Sequence, residues 1–293
     1  MDLYFKPSPN ITIHSVARGP SGSPEKPLLV LLHYWGGSSA TWHKLTSRDS
    51  PTSLSAIYQT LAIDLRGWGQ SQGTIGEDGY SIADMATDVA SLLEHLQSQQ
   101  DTSRWFAHGF VLVGHSMGAK VALGTLTRLP VHLLGQLKGL VLVAPAPPIR
   151  LDLPAEVKEQ QRVAYSSEDS VRWTVENVLA SDKISETDAG IIIRDSLSGN
   201  QLAKGAWPTY GMREDISESV KESLSPIVKS FPFPAHVIVG ELDIVEPKER
   251  VVIQVSDFLE QCGLQVTLHE APGVKHLIPL ESPEIIYRVV LSI

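Results

Sequence analysis

The run Phe110-Val111-Leu112-Val113-Gly114-His115-Ser116-Met117-Gly118-Ala119-Lys120-Val121-Ala122-Leu123 decides the architecture. Its four leading apolar residues read as a strand covered on both faces, and from Ser116 to Leu129 nothing breaks a helix until Pro130. Between them lies Gly114-His115-Ser116-Met117-Gly118, a G-x-S-x-G turn. A serine on a sharp strand-to-helix turn sits in a strained backbone conformation with its hydroxyl lifted above the sheet. Glycines two residues to either side remove the side chains that would collide across the bend. The helix start adds free N–H groups and the positive end of a dipole, which suit a developing oxyanion. The competing reading is a glycine-flanked turn with an incidental serine; the strand and helix on its two sides argue against it.

Outward from this turn the same alternation repeats. Ile11 to Val16 alternates like a half-buried strand, and a Pro/Gly/Ser-rich turn runs from Gly19 to Pro27. Aliphatic runs follow at Leu28–Leu32, Tyr58–Ile63, Leu140–Val143, His236–Val239 and Leu264–Leu268. Helical spacing appears at Ile82, Met85, Val89, Leu92, Leu93 and Leu96, with Ser81 as its cap. It appears again at Val251, Val252, Val255, Phe258 and Leu259, and at Ile285, Ile286, Val289 and Val290. Strands alternating with helices predict an α/β fold, a mostly parallel central sheet with helices on both faces.

From Pro147 to Pro234 no convincing core strand occurs. Val171, Val175, Val178 and Leu179 are spaced helically, and Ser185-Glu186-Thr187-Asp188 resembles a capping box. So long an interval is far beyond a structureless loop. We expect an inserted helical lid at 150–232, with the core formed by 1–149 and 233–293. Trp173, Trp207, Tyr210 and Met212 either roof a pocket or form the lid's own core.

A serine hydroxyl needs a base, and the base an orienting group. Among ten histidines, His276 lies in a loop between the last strand and the last helix. His269 falls inside a strand pattern, and His115 is expected to point away from Ser116 and pack. Asp243 follows a buried strand, where α/β sites assemble; Glu241 and Glu246 compete from the same loop. The chain order Ser116, Asp243, His276 is that of α/β-hydrolase triads.

These residues resemble the α/β-hydrolase fold superfamily over most of the chain outside the lid. Gly114–Gly118 match its nucleophile elbow, Gly240-Glu241-Leu242-Asp243 its acid loop, and Gly273-Val274-Lys275-His276 its histidine loop. Asp64-Leu65-Arg66-Gly67-Trp68-Gly69-Gln70-Ser71 matches its D-x-R-G-x-G-x-S turn, to which no chemistry is assigned. The resemblance implies Ser116, Asp243 and His276 as catalytic residues, with oxyanion donors in the backbone N–H groups of Met117 and Trp35. Here His33-Tyr34-Trp35-Gly36-Gly37 departs from the family's His-Gly-X: Tyr34 stands where glycine is common, so Tyr34 itself is the alternative donor.

The chain of 293 residues carries 24 basic and 33 acidic side chains, a net charge of −9, with no basic cluster to bind nucleic acid. Its one cysteine, Cys262, reads as a small apolar residue near a helix end. No stretch approaches the ~20 apolar residues of a membrane span, and the start lacks a secretory pattern. A cytoplasmic protein is expected. His33 and His43 lack a matching Cys or carboxylate pattern for zinc, and no G-x-G-x-x-G opens a helix, so neither metal nor cofactor is expected. The expected partner is a small neutral or hydrophobic acyl compound. The expected activity is hydrolysis of a carboxylic ester or lactone through an acyl-enzyme. A C–C bond hydrolase or perhydrolase with the same triad, and a receptor-like binding protein, stand as alternatives.

Overall fold

The computed structural model describes residues 1–293 apart from 21, 23, 77, 182 and 183. Two residues of the Gly19-to-Pro27 turn and two of the 150–232 interval therefore lie outside the described residues.

Among the described residues, eight strands form one sheet: β1 (Asp2–Ser8), β2 (Ile11–Arg18), β3 (Leu28–Leu32), β4 (Thr60–Ile63), β5 (Phe110–His115), β6 (Leu137–Val143), β7 (Pro234–Gly240) and β8 (Gln265–Ala271). Their order is β1-β2-β4-β3-β5-β6-β7-β8, with β1 and β2 antiparallel to their neighbours and the rest parallel. Seven of these strands coincide with the apolar runs of the sequence. β1 was not expected: it is an edge strand whose alternation (Leu3, Phe5) is only half buried and which contains Pro7.

The side-chain period of two splits each central strand between two cores. Leu28, Val30, Leu32 and Leu112 face one, with the helices Ile82–Ser98 and Met117–Leu126. Leu29, Leu31, Val111 and Val113 face the other, with the helix Pro283–Leu291. A continuous aliphatic strand is what such double coverage requires.

Between β6 and β7 the described residues form helices Ala155–Val163, Glu168–Thr174, Glu186–Ser198, Gln201–Thr209 and Ser217–Ser230. Ser185 caps the third, its Oγ accepting from Asp188 N at 3.1 Å. The buried Lys120 ties this insertion to the core, its Nζ donating to the carbonyls of Ile149 (3.3 Å) and Met212 (3.2 Å). Asp188 adds a second tie, paired with His43 at 3.1 Å and Lys44 at 2.8 Å. Among the described residues no helix is long and apolar enough to cross a membrane.

Candidate active site

Ser116 adopts φ 54 and ψ −116, a left-handed backbone that a non-glycine residue holds only when its surroundings impose it. Ser116 N donates to the carbonyl of Val143 at 2.9 Å, and Ala146 N donates to the carbonyl of Ser116 at 3.2 Å, so the end of β6 holds the bend from both sides. A Cβ on Gly114 would come within 2.5 Å of the Gly118 carbonyl oxygen. One on Gly118 would come within 2.4 Å of the Leu32 carbonyl oxygen. Both flanking glycines are thus dictated by close approach of backbone.

His276 and Asp243 meet: His276 Nδ1 donates to Asp243 Oδ2 at 2.8 Å, with both residues buried. The other carboxylate oxygen of Asp243 accepts from Val245 N (2.8 Å) and Glu246 N (3.0 Å), which fixes its plane. The two loops carrying the pair are packed on each other. Leu242 N donates to Val274 O, and a Cβ on Gly240 would lie 2.2 Å from Lys275 O, which explains the glycine of the G-x-x-D pattern.

The rival residues are placed otherwise. Glu241 Oε2 accepts from Gly273 N at 2.7 Å at the exposed rim, tying acid loop to histidine loop. Glu246 is fully buried, and desolvation pushes its carboxyl up to about 8, so near neutral pH it is mainly the uncharged acid. His269 lies on β8 in a 3.0 Å contact with His236. His115 is buried beside Tyr34 and Trp42, and its Nε2 donates to the His276 carbonyl at 2.9 Å.

The loop after β3 is organised by His33, the residue that anchors the match to the family's His-Gly-X. Its Nδ1 donates to the carbonyl of Tyr34 at 2.7 Å and its Nε2 accepts from Leu65 N at 3.0 Å, so both ring nitrogens are assigned. Burial holds its pKa below the ordinary histidine range, and it stays neutral. In a trans peptide the C=O and N–H point in opposite directions. With the Tyr34 carbonyl turned to His33, the N–H of Trp35 points away from that ring, and among the described residues it has no protein acceptor. The backbone freedom that glycine would supply at position 34 appears two residues later, where Gly36 takes φ +100. Tyr165, from the insertion, closes over this loop by donating its hydroxyl to the Trp35 carbonyl at 2.9 Å.

Ser116, His276, Tyr34 and Trp35 line one cavity of about 380 Å³, whose far walls come from the insertion. Leu153, Val157, Ala164, Tyr165, Val178 and Trp207 give those walls a predominantly apolar character. Of the four large residues singled out in the insertion, Trp207 lines this cavity. Trp173 is half exposed elsewhere, Met212 packs in the core, and the Tyr210 hydroxyl accepts from Tyr80 N at 3.2 Å. The insertion also grips the histidine loop directly. The carbonyl of Leu179, at the end of the π-helical turn Val175–Leu179, accepts from both His276 N (3.0 Å) and Leu277 N (3.1 Å).

Asp64 of the D-x-R-G turn accepts from Ser39 N (2.6 Å) and Gln70 N (2.8 Å) and pairs with His14 at 2.7 Å. Arg66 pairs with Asp88 through two nitrogens, each at 2.7 Å. That motif braces two loops. Among the described residues no group of three His, Cys, Asp or Glu side chains is placed to hold a metal ion.

Residues 23–283 match the family model described as serine aminopeptidase, S33. The chain belongs to this family of α/β-hydrolases. Within it, the chain is 26% identical over 265 residues to a pimeloyl-[acyl-carrier protein] methyl ester esterase of Edwardsiella ictaluri (strain 93-146), covering 87% of this chain and 88% of that protein. It is 35% identical over 111 residues to epoxide hydrolase B of Mycobacterium tuberculosis (strain ATCC 25618 / H37Rv), covering 38% of this chain and 27% of that one. The fold of this S33 chain is that of an esterase from Exiguobacterium antarcticum, with a TM-score of 0.76 and 16% identity over 100% of this chain and 98% of that one.

Proposed function

We propose that this S33-family hydrolase cleaves carboxylic esters or lactones of apolar acyl compounds through an acyl-enzyme on Ser116, beneath a lid formed by residues 150–232. The observation that carries the reading is that a strained, glycine-flanked serine and an Asp-held imidazole line the same apolar cavity. Ser116 Oγ attacks the carbonyl carbon while His276, held at Nδ1 by Asp243, takes the proton at Nε2. The N–H groups of Met117 and Trp35 receive the oxyanion; the orientation of the 34–35 peptide favours Trp35 over Tyr34. The tetrahedral adduct collapses, the alcohol leaves with the proton from His276, and water activated by the same imidazole releases the acid. Ester cleavage is also the activity named for the esterase relative of Edwardsiella ictaluri.

The family description names aminopeptidases, whose substrates present a free ammonium group. Among the described lining residues there is no carboxylate to receive one, which favours esters over peptides. Ser116 also separates this chain from epoxide hydrolases with an aspartate nucleophile. A fluorophosphonate probe tests the mechanism. It should label the folded protein, lose labelling in Ser116→Ala, and be slowed by a short-chain p-nitrophenyl ester that the protein turns over. Folded protein that neither labels nor turns over any ester, lactone or vinylogous diketone would leave a binding role instead.

A further inference from the structure

Among the described residues lining the cavity, Arg250 alone carries a permanent charge. It follows the acid loop, in the short helix Lys248–Val251, and its side chain is 22% exposed. A guanidinium offers five N–H donors. One nitrogen, Nη2, donates to the carbonyl of Val245 at 3.1 Å. The nearest carboxylate oxygen, Glu246 Oε2, stands 3.8 Å from Nη1, beyond hydrogen-bond reach, and it has no hydrogen-bond partner of its own. The Glu246 carboxyl is mainly protonated near neutral pH, as its burial requires, and so does little to neutralise its neighbour. A partly buried cation beside apolar walls is stabilised when something anionic meets it.

We propose that Arg250 receives a carboxylate carried by the substrate, so that the preferred esters have an apolar body and one negative group remote from the scissile bond. This deepens and rests on the ester-hydrolase reading, narrowing its apolar acyl compound to an acidic one. Arginine suits the task because its planar fork matches a carboxylate with two parallel hydrogen bonds. The apolar walls spanning the rest of the cavity would hold the carbon chain between the two ends.

Binding and turnover separate the two claims. In the Ser116→Ala background, titration calorimetry with monomethyl adipate and dimethyl adipate should show the monoester binding about 10–100-fold more tightly, the value of a charge-assisted pair. Adding Arg250→Gln should abolish the difference, and Arg250→Lys should restore part of it, because the charge returns without the fork. Equal binding of the two adipates, or a monoester preference that survives Arg250→Gln in a cooperatively folded variant, overturns the role of Arg250. Wild-type turnover of p-nitrophenyl hexanoate and labelling by the fluorophosphonate report the hydrolase reading separately. A monoester preference with neither turnover nor labelling would keep the anion site and sink the hydrolysis.

Discussion

His115 Nε2 donates to the backbone carbonyl of His276 at 2.9 Å, so the residue beside Ser116 helps fix the loop bearing His276. A carbonyl only accepts, which places the proton of His115 on Nε2. Burial, then the neighbouring His276, hold its pKa well below the ordinary range, and the ring stays neutral. His115→Phe keeps the ring volume and leaves a buried carbonyl unpaired, at a cost of about 1–3 kcal/mol. Denaturant unfolding should register that loss, and steady-state kinetics on an ester should show kcat falling more than KM rises. A variant with wild-type midpoint and kcat would remove His115 from this role.

Ser116→Gly should separate stability from activity. The left-handed backbone at Ser116 stores strain of order 1–3 kcal/mol, which glycine relieves at an entropic cost of about 0.5–1 kcal/mol. The expected outcome is loss of turnover together with a net gain of about 1 kcal/mol in chemical denaturation. A lower midpoint than wild type would show the bend to be unstrained.

Gly36→Ala should damage the loop after β3. A methyl group there meets the Tyr165 ring at 2.5 Å on a backbone at φ +100, so either the loop or the insertion must shift. We expect destabilisation of about 1–3 kcal/mol and a fall in kcat of up to ~10²–10³, the typical effect of losing one oxyanion donor. Thermal melting and ester kinetics read the two effects separately; full activity would detach this loop from the chemistry.

Glu246 sets a pH dependence of stability with a definite sign. Its folded pKa of about 8 lies above the ordinary carboxyl value of 4.5. The native state therefore keeps a proton that the unfolded chain releases between those values. The stabilisation is complete below about 4.5 and is lost as pH rises through 8. Compared with Glu246→Gln, which cannot titrate, wild type should lose a few kcal/mol between pH 5 and 9, on the scale of about 1.4 kcal/mol per pKa unit. Parallel stability curves for the two proteins would show that Glu246 titrates normally.

The parallel sheet and the elbow were legible because their demands are local. A strand covered on both faces must be aliphatic, and backbone packed at 2.4–2.5 Å from a missing Cβ admits only glycine. The pairing of His276 with Asp243 rather than Glu241 or Glu246 was not legible from composition, since all three acids share one loop. Position after β7 favoured Asp243; the bond of Glu241 to Gly273 N and the full burial of Glu246 became visible only in three dimensions. The insertion was legible as helices and opaque as a pocket wall. Trp173 and Trp207 are the same residue type, yet one is half exposed and the other lines the cavity, a difference created by tertiary packing. Likewise no local pattern marks Arg250 as facing that cavity, because its neighbours Lys248 and Glu249 are charged as well.

The single oxygen of Leu179 that serves both His276 and Leu277 ties the design of any chimera. Grafting another protein's cap onto this scaffold at the ends of β6 and β7 would discard that acceptor and orphan two amides under the imidazole, unless residues 175–180 travel with the host. Were residues 150–232 to swing away as one body, the Leu179 oxygen would leave with them and His276 N and Leu277 N would lose their acceptor.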